Sequence, residues 1–346
     1  MPDVRLSLVM IVRDQRALLA DCLAAHRGLA DEVVVVDTGS SDGSAATAAA
    51  AGARVGRHVW RDDFAAARNA GLDLARGRWI LILDADERID PRDAPTVRAA
   101  ACRPPDRAYL QETRNYLPHR RHAEWRPLTG EYPDQERGCG WFAARRVGLF
   151  PRRDDVRFAG RVHESVLPAL AACGLPLDRL PAVVHHHGHL LGATAATARR
   201  RRDLRLLSRQ VADVPGEPGP AVALACALLE EGRREDANPL LHAAAAQTDV
   251  TRPVTRARVL LGRLARADGD GAAAEAWLAR AVAGEPGFLF ARLEWLRLLA
   301  EHRRWDALSG GLRAARGAGL DHPDLDRLGG LVPALSWPSR SRRAGR

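Results

Sequence analysis

The stretch ILILDADE, residues 80–87, points to both the fold class and the position of a functional site. Its first four residues are apolar and predict a buried strand, which ends in three carboxylates within four positions. Clustered carboxylates repel one another unless a cation lies among them. In an extended segment residues i and i+2 point the same way, so Asp84 and Asp86 are expected to face one site. The alternative is an acidic turn that caps the next helix.

The chain around this stretch alternates between strand and helix patterns. Such alternation predicts an α/β domain with a mainly parallel sheet, which binds ligands at the carboxyl ends of its strands. Asp37 and Asp84 both lie at such ends. The predicted strands are residues 6–12, 32–36, 53–59 and 79–83, and the predicted helices are residues 15–27, 64–75 and an alanine-rich segment ending near residue 52.

Two further motifs carry polar residues at these positions. In VVVVDTGS, residues 33–40, Asp37 is suited to accept hydrogen bonds from a base or ribose, and Gly39 lets the backbone approach a ligand. In WRDDFAAARN, residues 60–69, Arg68 is suited to pair with a phosphate. The alternatives are ordinary turn chemistry for the first motif and a surface helix with an internal ion pair for the second.

Composition excludes several classes of protein. The net charge is +9 without any lysine, but the arginines are spread along the chain, which argues against nucleic acid as a partner. The five cysteines are scattered and predict neither a disulfide framework nor a structural zinc site. No apolar run reaches the roughly 20 residues that span a bilayer, and the first residues do not read as a secretory signal, so we expect a cytoplasmic protein.

The last third of the chain has helical periodicity from about residue 194. Three segments resemble one another, with small residues at Ala237, Ala276 and Ala307. Their spacings of 39 and 31 residues bracket the roughly 34 residues of tetratricopeptide-type helix pairs. Residues 109–116, 140–150 and 180–187 are compatible with strands or loops.

Taken in order, the three motifs resemble the bacterial family 2 glycosyltransferases, which have the GT-A fold. The matching subgroup reads VVDTGS, then W-x-DDF-x-AARN, then W-x-LxLDADE, over roughly residues 5–190. RFAGRVHE at residues 157–164 is similar to its F-x-G-x-hydrophobic-HE element, and HHHGH at residues 185–189 to its H-Y-G-Y element. The resemblance implies a GT-A domain at residues 1–192 and a tetratricopeptide-like all-α helical domain at 193–334, which the subgroup commonly carries. The composition of residues 335–346 predicts a disordered tail.

The resemblance also implies an activity and roles for single residues. It implies an inverting hexosyltransferase that uses a nucleotide-sugar donor, such as a UDP-sugar, together with Mg²⁺ or Mn²⁺. Glu164 is expected to be the general base, with Asp134 or Glu136 as alternatives. Asp86 and His186 are expected to hold the metal. The expected donor-binding residues are Val12, Arg13, Asp37, Thr38, Gly39, Asp63, Arg68, Asn69, Asp84 and Ala85.

The chain departs from the subgroup at two places and leaves several questions open. Asp14-Gln15 replaces the usual N-E, and His187 and His189 replace two tyrosines. A histidine metal cluster is disfavoured, because neighbouring strand side chains alternate and only His185 and His187 point together. The acceptor is a peptide, a protein or an envelope glycan, and the repeats suit a protein partner or self-association. The alternative function is an adaptor with an inactive transferase domain.

Overall fold

The structure is a computed structural model that describes residues 4–122 and 124–332. It divides into two compact units, Met1–Leu206 and Leu207–Arg346. The division, between residues 206 and 207, falls inside the helix Ala193–Asp213. The sequence instead predicts that the helical domain begins at residue 193, where this helix begins. The tail expected at residues 335–346 lies outside the described residues.

The first unit is built on one eight-stranded sheet with the strand order β3-β2-β1-β4-β7-β6-β8-β5. The four strands β3, β2, β1 and β4 are parallel, and β7 and then β6 continue the sheet in antiparallel pairings. This confirms the expected mainly parallel α/β architecture for the first half of the sheet. The strands are β1 (Leu6–Val12), β2 (Glu32–Asp37), β3 (Arg54–Arg57), β4 (Trp79–Ile82), β5 (Glu87–Ile89), β6 (Ala108–Leu117), β7 (Gly140–Pro151) and β8 (Leu177–His186).

The sheet is buried on both faces, which explains the continuous apolar runs in its central strands. Leu8 and Leu81 belong to one hydrophobic core, while Val9 and Ile80 belong to the core on the opposite face. Helices cover both faces. The helices of this unit are α1 (Arg16–Ala25), α2 (Ser44–Ala50), α3 (Phe64–Leu74), α4 (Ala94–Ala101), α5 (Leu167–Ala172) and α6 (Ala193–Asp213), which continues into the second unit, and a 3₁₀ turn spans Gly188–Leu190.

Strands β6, β7 and β8 resolve the three segments that the sequence left open. Strand β5 was not predicted, because its three residues are too few to show periodicity. It pairs antiparallel with β8, opposing Glu87 to His186 and Ile89 to Val184. This pairing carries the acidic end of residues 80–87 to the histidine-rich end of β8.

The second unit is all-α, as expected, and its helices follow one another in pairs. The buried residues at matching places in α8, α10 and α12 are Ala237, Ala274 and Leu308, which are 37 and 34 residues apart. The sequence alignment through Ala276 and Ala307 was therefore out of register, since Ala276 is exposed. The helices are α7 (Pro218–Glu230), α8 (Arg234–Ala245), α9 (Arg252–Ala267), α10 (Gly271–Gly284), α11 (Leu289–Glu301), α12 (Trp305–Gly317) and α13 (Pro323–Gly329). No helix in the described ranges is long and apolar enough to cross a bilayer.

Candidate active site

The carboxyl ends of β1 and β2 form one wall of the candidate site. The two strands pair with Val12 opposite Asp37, so the ends of both strands lie side by side. Thr38 ties them together, because its backbone N–H and its hydroxyl each donate to the Val12 carbonyl at 3.0 Å. Asp37 is buried and accepts a hydrogen bond from the Ser40 N–H at 3.0 Å. The structure therefore places Val12, Asp37 and Thr38 together.

The loops that follow β1 and β2 are joined by the residue that departs from the subgroup pattern. Asp14 has a positive φ of 49° and its carboxylate accepts the Ser41 N–H at 2.7 Å. Gly39 has a φ of +106°, a conformation that L side chains rarely adopt, and nothing lies within 4 Å of its missing Cβ. Arg13 is exposed beside these loops. Asp14 thus connects the two loops, and the surface beside Gly39 stays accessible to a ligand.

The expected extended geometry of Asp84 and Asp86 is wrong, because residues 84–87 form a turn. The Glu87 N–H donates to the Asp84 carbonyl at 3.0 Å, and the Asp84 N–H donates to the Glu87 carboxylate at 2.8 Å. Arg146 also pairs with Glu87, yet burial raises the pKa of Glu87. The turn sends Asp84 and Asp86 to different partners, although both stay close enough to act on the pKa of His186.

Arg68 lies on the Asp84 side of the turn and joins two carboxylates. Its Nη2 donates to Asp84 at 3.0 Å, and its Nε donates to Glu164. Burial opposes the positive charge of Arg68, but the two carboxylates outweigh it and hold its pKa above the ordinary value. The sequence suggested that Arg68 pairs with a phosphate, whereas here it organises acidic side chains. Only its Nη1, which is buried, has no hydrogen-bond partner among the described residues.

Asp86 meets His186 on the other side of the turn. Asp86 Oδ2 and His186 Nε2 are 3.4 Å apart, and the His187 N–H donates to the Asp86 carbonyl at 3.0 Å. Burial raises the pKa of Asp86, but His186 and Arg199 outweigh it, so the pKa is lowered. Burial lowers the pKa of His186, but the hydrogen bond and charge of Asp86 outweigh it, so the pKa is raised.

The ring of His186 is oriented by Asn115, with 2.7 Å between His186 Nδ1 and Asn115 Oδ1. The Asn115 amide nitrogen faces the carbonyls of Thr113 and Phe142, which assigns its oxygen to the histidine. Nδ1 therefore donates, and in the neutral ring Nε2 presents a lone pair to the Asp86 carboxylate. Two acceptors that face each other in this way require a proton or a cation between them.

The Asp86–His186 pair fits a divalent metal. Carboxylate oxygen and imidazole nitrogen suit Mn²⁺, and Mg²⁺ accepts the carboxylate. The absence of a side chain at Gly188 keeps the space beside these two atoms open for an ion. A Cβ at that position would lie 2.3 Å from Asp86 Oδ2 and 2.5 Å from His186 Nε2. Within residues 4–122 and 124–332, no group of three His, Cys, Asp or Glu side chains is arranged to hold a metal. The protein thus offers two ligands, and waters or ligand oxygens would complete the shell.

The remaining candidate donor residues have partners inside the protein. Asp63 caps α3 by accepting the Ala66 N–H at 2.8 Å. The Asn69 amide makes two hydrogen bonds to the backbone of Phe158, at 3.0 and 2.9 Å, and so holds the segment that carries Glu164. Ala85 is buried, with its carbonyl accepting from Arg88 at 2.9 Å. These three residues shape the site rather than offer polar side chains to a ligand.

The histidine-rich end of β8 follows the expected alternation. His185 and His187 both stack on Tyr116, with ring centroids 5.9 and 5.1 Å away, whereas His186 faces Asp86. Burial lowers the pKa of His185 to about 3, so this histidine is neutral. Sequence reasoning missed Asn115 and Gly188 as parts of the site. Gly188 stands within the HHHGH motif, but nothing in the sequence around Asn115 marks it.

Residues 7–155 match the family model described as Glycosyl transferase family 2. A TPR repeat-containing protein of Synechococcus elongatus is 32% identical over 237 residues, which cover 66% of this chain and 53% of that protein. The succinoglycan biosynthesis protein ExoO of Rhizobium meliloti is 43% identical over 70 residues, covering 19% and 20%.

Among solved structures, the mannosyltransferase PcManGT of Pyrobaculum calidifontis, in complex with GDP-Man and Mn²⁺, aligns with a TM-score of 0.40 and 18% identity. The alignment covers 81% of this chain and 86% of that one. This chain spans about half the length of the Synechococcus relative and a fifth of the Rhizobium one. The family match contains the wall at Asp37, the helix of Arg68 and the turn at residues 84–87. Residues 7–155 therefore form a domain that matches glycosyl transferase family 2.

Proposed function

We propose that the first unit transfers a sugar from a nucleoside diphosphate donor, with UDP-sugars as the first donors to test, to an acceptor in a Mg²⁺- or Mn²⁺-dependent, inverting reaction. The observation that supports this most is the 3.4 Å approach of Asp86 Oδ2 to His186 Nε2 at the carboxyl end of the sheet. Asp37 lies at the same edge, at the end of β2, two strands from β4. A pair of metal ligands and a nucleoside-binding aspartate at the same carboxyl end of the sheet suit the diphosphate and the nucleoside of a nucleotide sugar.

In this reaction the bond between the anomeric carbon and the donor's β-phosphate oxygen breaks, and its electron pair stays on that oxygen. The acceptor oxygen forms the new bond from the opposite face and gives up its proton. A bound divalent ion would supply charge stabilisation for the departing diphosphate. Asp86 and His186 would hold that ion, while Asp37 would bind the nucleoside.

Glu164 is the residue we assign to the acceptor's proton. Arg68 holds its Oε1, so Oε2 is the oxygen assigned to accept the proton. Glu164, Arg68 and Arg146 line one small cavity, which gives a substrate group a place to approach the carboxylate. Asn69 fixes the backbone of the segment before Glu164 and so positions the base.

The helical unit supports a role in choosing the acceptor. Tetratricopeptide-type helix pairs present surfaces to proteins and peptides, and we propose that this unit binds a protein partner or a peptide acceptor. One curated relative is named for succinoglycan biosynthesis, so a glycan acceptor belongs in the same set of tests.

A second candidate function is an adaptor in which the transferase unit is inactive. The ion pair between Arg68 and Asp84 favours this adaptor function. In that pair Arg68 occupies the Asp84 carboxylate, which was expected to bind the metal and the diphosphate. Titration calorimetry with UDP and with GDP, each with Mn²⁺ and with a chelator, separates the two functions. An adaptor would bind neither nucleotide.

The proposed transferase is tested by incubating the full chain with a panel of nucleotide sugars and measuring the release of nucleoside diphosphate. We expect one donor to be hydrolysed or transferred in the presence of Mn²⁺ or Mg²⁺, and the release to stop when a chelator is added. Release that continues unchanged with the chelator would remove the metal from the mechanism. No release and no binding across the panel would leave the adaptor.

A further inference from the structure

Helix α6 places an arginine beside the Asp86–His186 pair. Arg199 Nη2 donates to the Gly188 carbonyl at 3.3 Å and lies 3.9 Å from Asp86 Oδ2. It would also lie 3.0 Å from a Cβ at Gly188, so the guanidinium borders the same small space as the two metal-ligand atoms. Nothing in the sequence distinguishes Arg199 from the other arginines of the run at residues 199–202.

The hydrogen-bonding capacity of Arg199 is largely unused. A guanidinium has five N–H donors, and among the described residues the Gly188 carbonyl is its one hydrogen-bond acceptor. The 3.9 Å separation from Asp86 is too long for a hydrogen bond. Arg68 differs, because two carboxylates hold it in place. Arg199 therefore keeps donors that are available to an incoming ligand.

The charges at the site indicate what that ligand is. Asp86 and Arg199 cancel, so a divalent ion on Asp86 and neutral His186 would leave an excess of about two positive charges. On the other side of the turn, Arg68 shares one positive charge between Asp84 and Glu164, and Arg146 pairs with Glu87. The whole site with the ion would therefore keep an excess of about one positive charge. The ion would repel Arg199 unless an anion lay between them. The diphosphate of a nucleotide sugar carries about two negative charges and has oxygens for both cations.

We propose that Arg199 binds the donor's diphosphate and stabilises the charge that collects on it when the glycosidic bond breaks. This inference rests on the proposed function. The electron pair of the broken bond goes to the β-phosphate oxygen, and the planar guanidinium donates hydrogen bonds to the diphosphate as its charge increases. Helix α6 is thereby part of the active site, and a domain that ended at residue 192 would lack this group.

The test compares Arg199→Gln with Arg201→Gln in the full chain. Arg201 is an exposed residue of the same helix and serves as the matched control. UDP and GDP are titrated by calorimetry in the presence of Mn²⁺, and uridine and guanosine serve as ligands without phosphates. For the nucleotide that binds, we expect Arg199→Gln to weaken binding about tenfold or more, while nucleoside binding stays unchanged. Arg201→Gln should leave both unchanged.

A second readout distinguishes charge from structure. Arg199→Lys should recover part of the nucleotide affinity, and all three variants should melt at the temperature of the unaltered protein. If the unaltered chain binds a nucleotide and Arg199→Gln binds it equally well, the role of Arg199 is refuted and the proposed function stands. If the unaltered chain binds neither nucleotide with Mn²⁺, the proposed function fails, and this inference fails with it.

Discussion

Asp86 Oδ2 and His186 Nε2 lie 3.4 Å apart because strand β5 pairs antiparallel with β8 and sets Glu87 opposite His186. The turn at residues 84–87 then directs Asp86 toward the histidine ring. Asn115 fixes the other nitrogen of that ring at 2.7 Å, so Nε2 is aimed at the carboxylate. Distant parts of the chain thus bring together the two side chains that we propose as metal ligands.

Gly188→Ala tests the space between these two ligands. The added Cβ would lie 2.3 Å from Asp86 Oδ2 and 2.5 Å from His186 Nε2, so both side-chain ends must move apart. Because side-chain ends move more easily than backbone, we expect the melting temperature to change little and Mn²⁺ affinity to fall about tenfold or more. Gly287→Ala, where nothing lies within 4 Å, is the control. Equal Mn²⁺ binding by the two variants would contradict the assignment.

Asp86→Asn tests the carboxylate itself. The amide keeps the shape of the side chain but removes the charge that attracts a divalent ion. We expect turnover to fall about a hundredfold or more, and Mn²⁺ to lose its effect on nucleotide binding. Asp106→Asn, at an exposed carboxylate paired with Arg107, should retain full activity. Normal turnover in Asp86→Asn would show that the metal is not held here.

The sequence predicted the parallel strands because residues buried on both faces produce continuous apolar runs, as in β1 and β2. It did not predict the turn at residues 84–87. That turn is closed by hydrogen bonds between Asp84 and Glu87, which the clustering of three carboxylates in the sequence does not reveal. Arg199 and Asn115 were missed because they reach the site only through tertiary contacts. Local sequence patterns therefore located the carboxyl ends of the strands, where the site lies. The partners of each side chain could be identified only from the structure.

Glu164→Gln tests the proposed base. The glutamine oxygen can still accept from Arg68, so the bridge to Asp84 is preserved while the proton acceptor is lost. We expect nucleotide binding to stay unchanged and transfer to fall about a hundredfold or more.

The alternatives Asp134 and Glu136 provide the comparison for this variant. Asp134 is exposed, and the Glu136 carboxylate accepts the Gly130 N–H at 2.8 Å, which suits it to holding its own loop. Asp134→Asn and Glu136→Gln should therefore keep measurable transfer. A collapse of nucleotide binding in Glu164→Gln would instead make Glu164 a donor-site residue.

Arg68→Met tests the bridge between Asp84 and Glu164. The variant leaves two carboxylates without their shared cation, and Arg68 and Glu164 are both mostly buried. We expect the free energy of unfolding to fall by about 3 kcal/mol, measured by denaturant titration. Arg157→Met breaks an exposed pair with Asp73 and should cost less than about 1 kcal/mol. Equal losses in the two variants would show that the bridge does not stabilise the fold.

The pH dependence of Mn²⁺ binding tests His186. The ion needs the neutral imidazole, and the pKa of His186 is raised above its usual value near 6.5 because Asp86 outweighs the effect of burial. Protons should therefore compete with the ion at a higher pH than for an ordinary histidine. Below that pKa we expect the dissociation constant to increase about tenfold per pH unit, measured by calorimetry from about pH 8 to about pH 5. His186→Gln should bind weakly and lose most of this dependence, whereas the same slope in both proteins would assign the proton to another group.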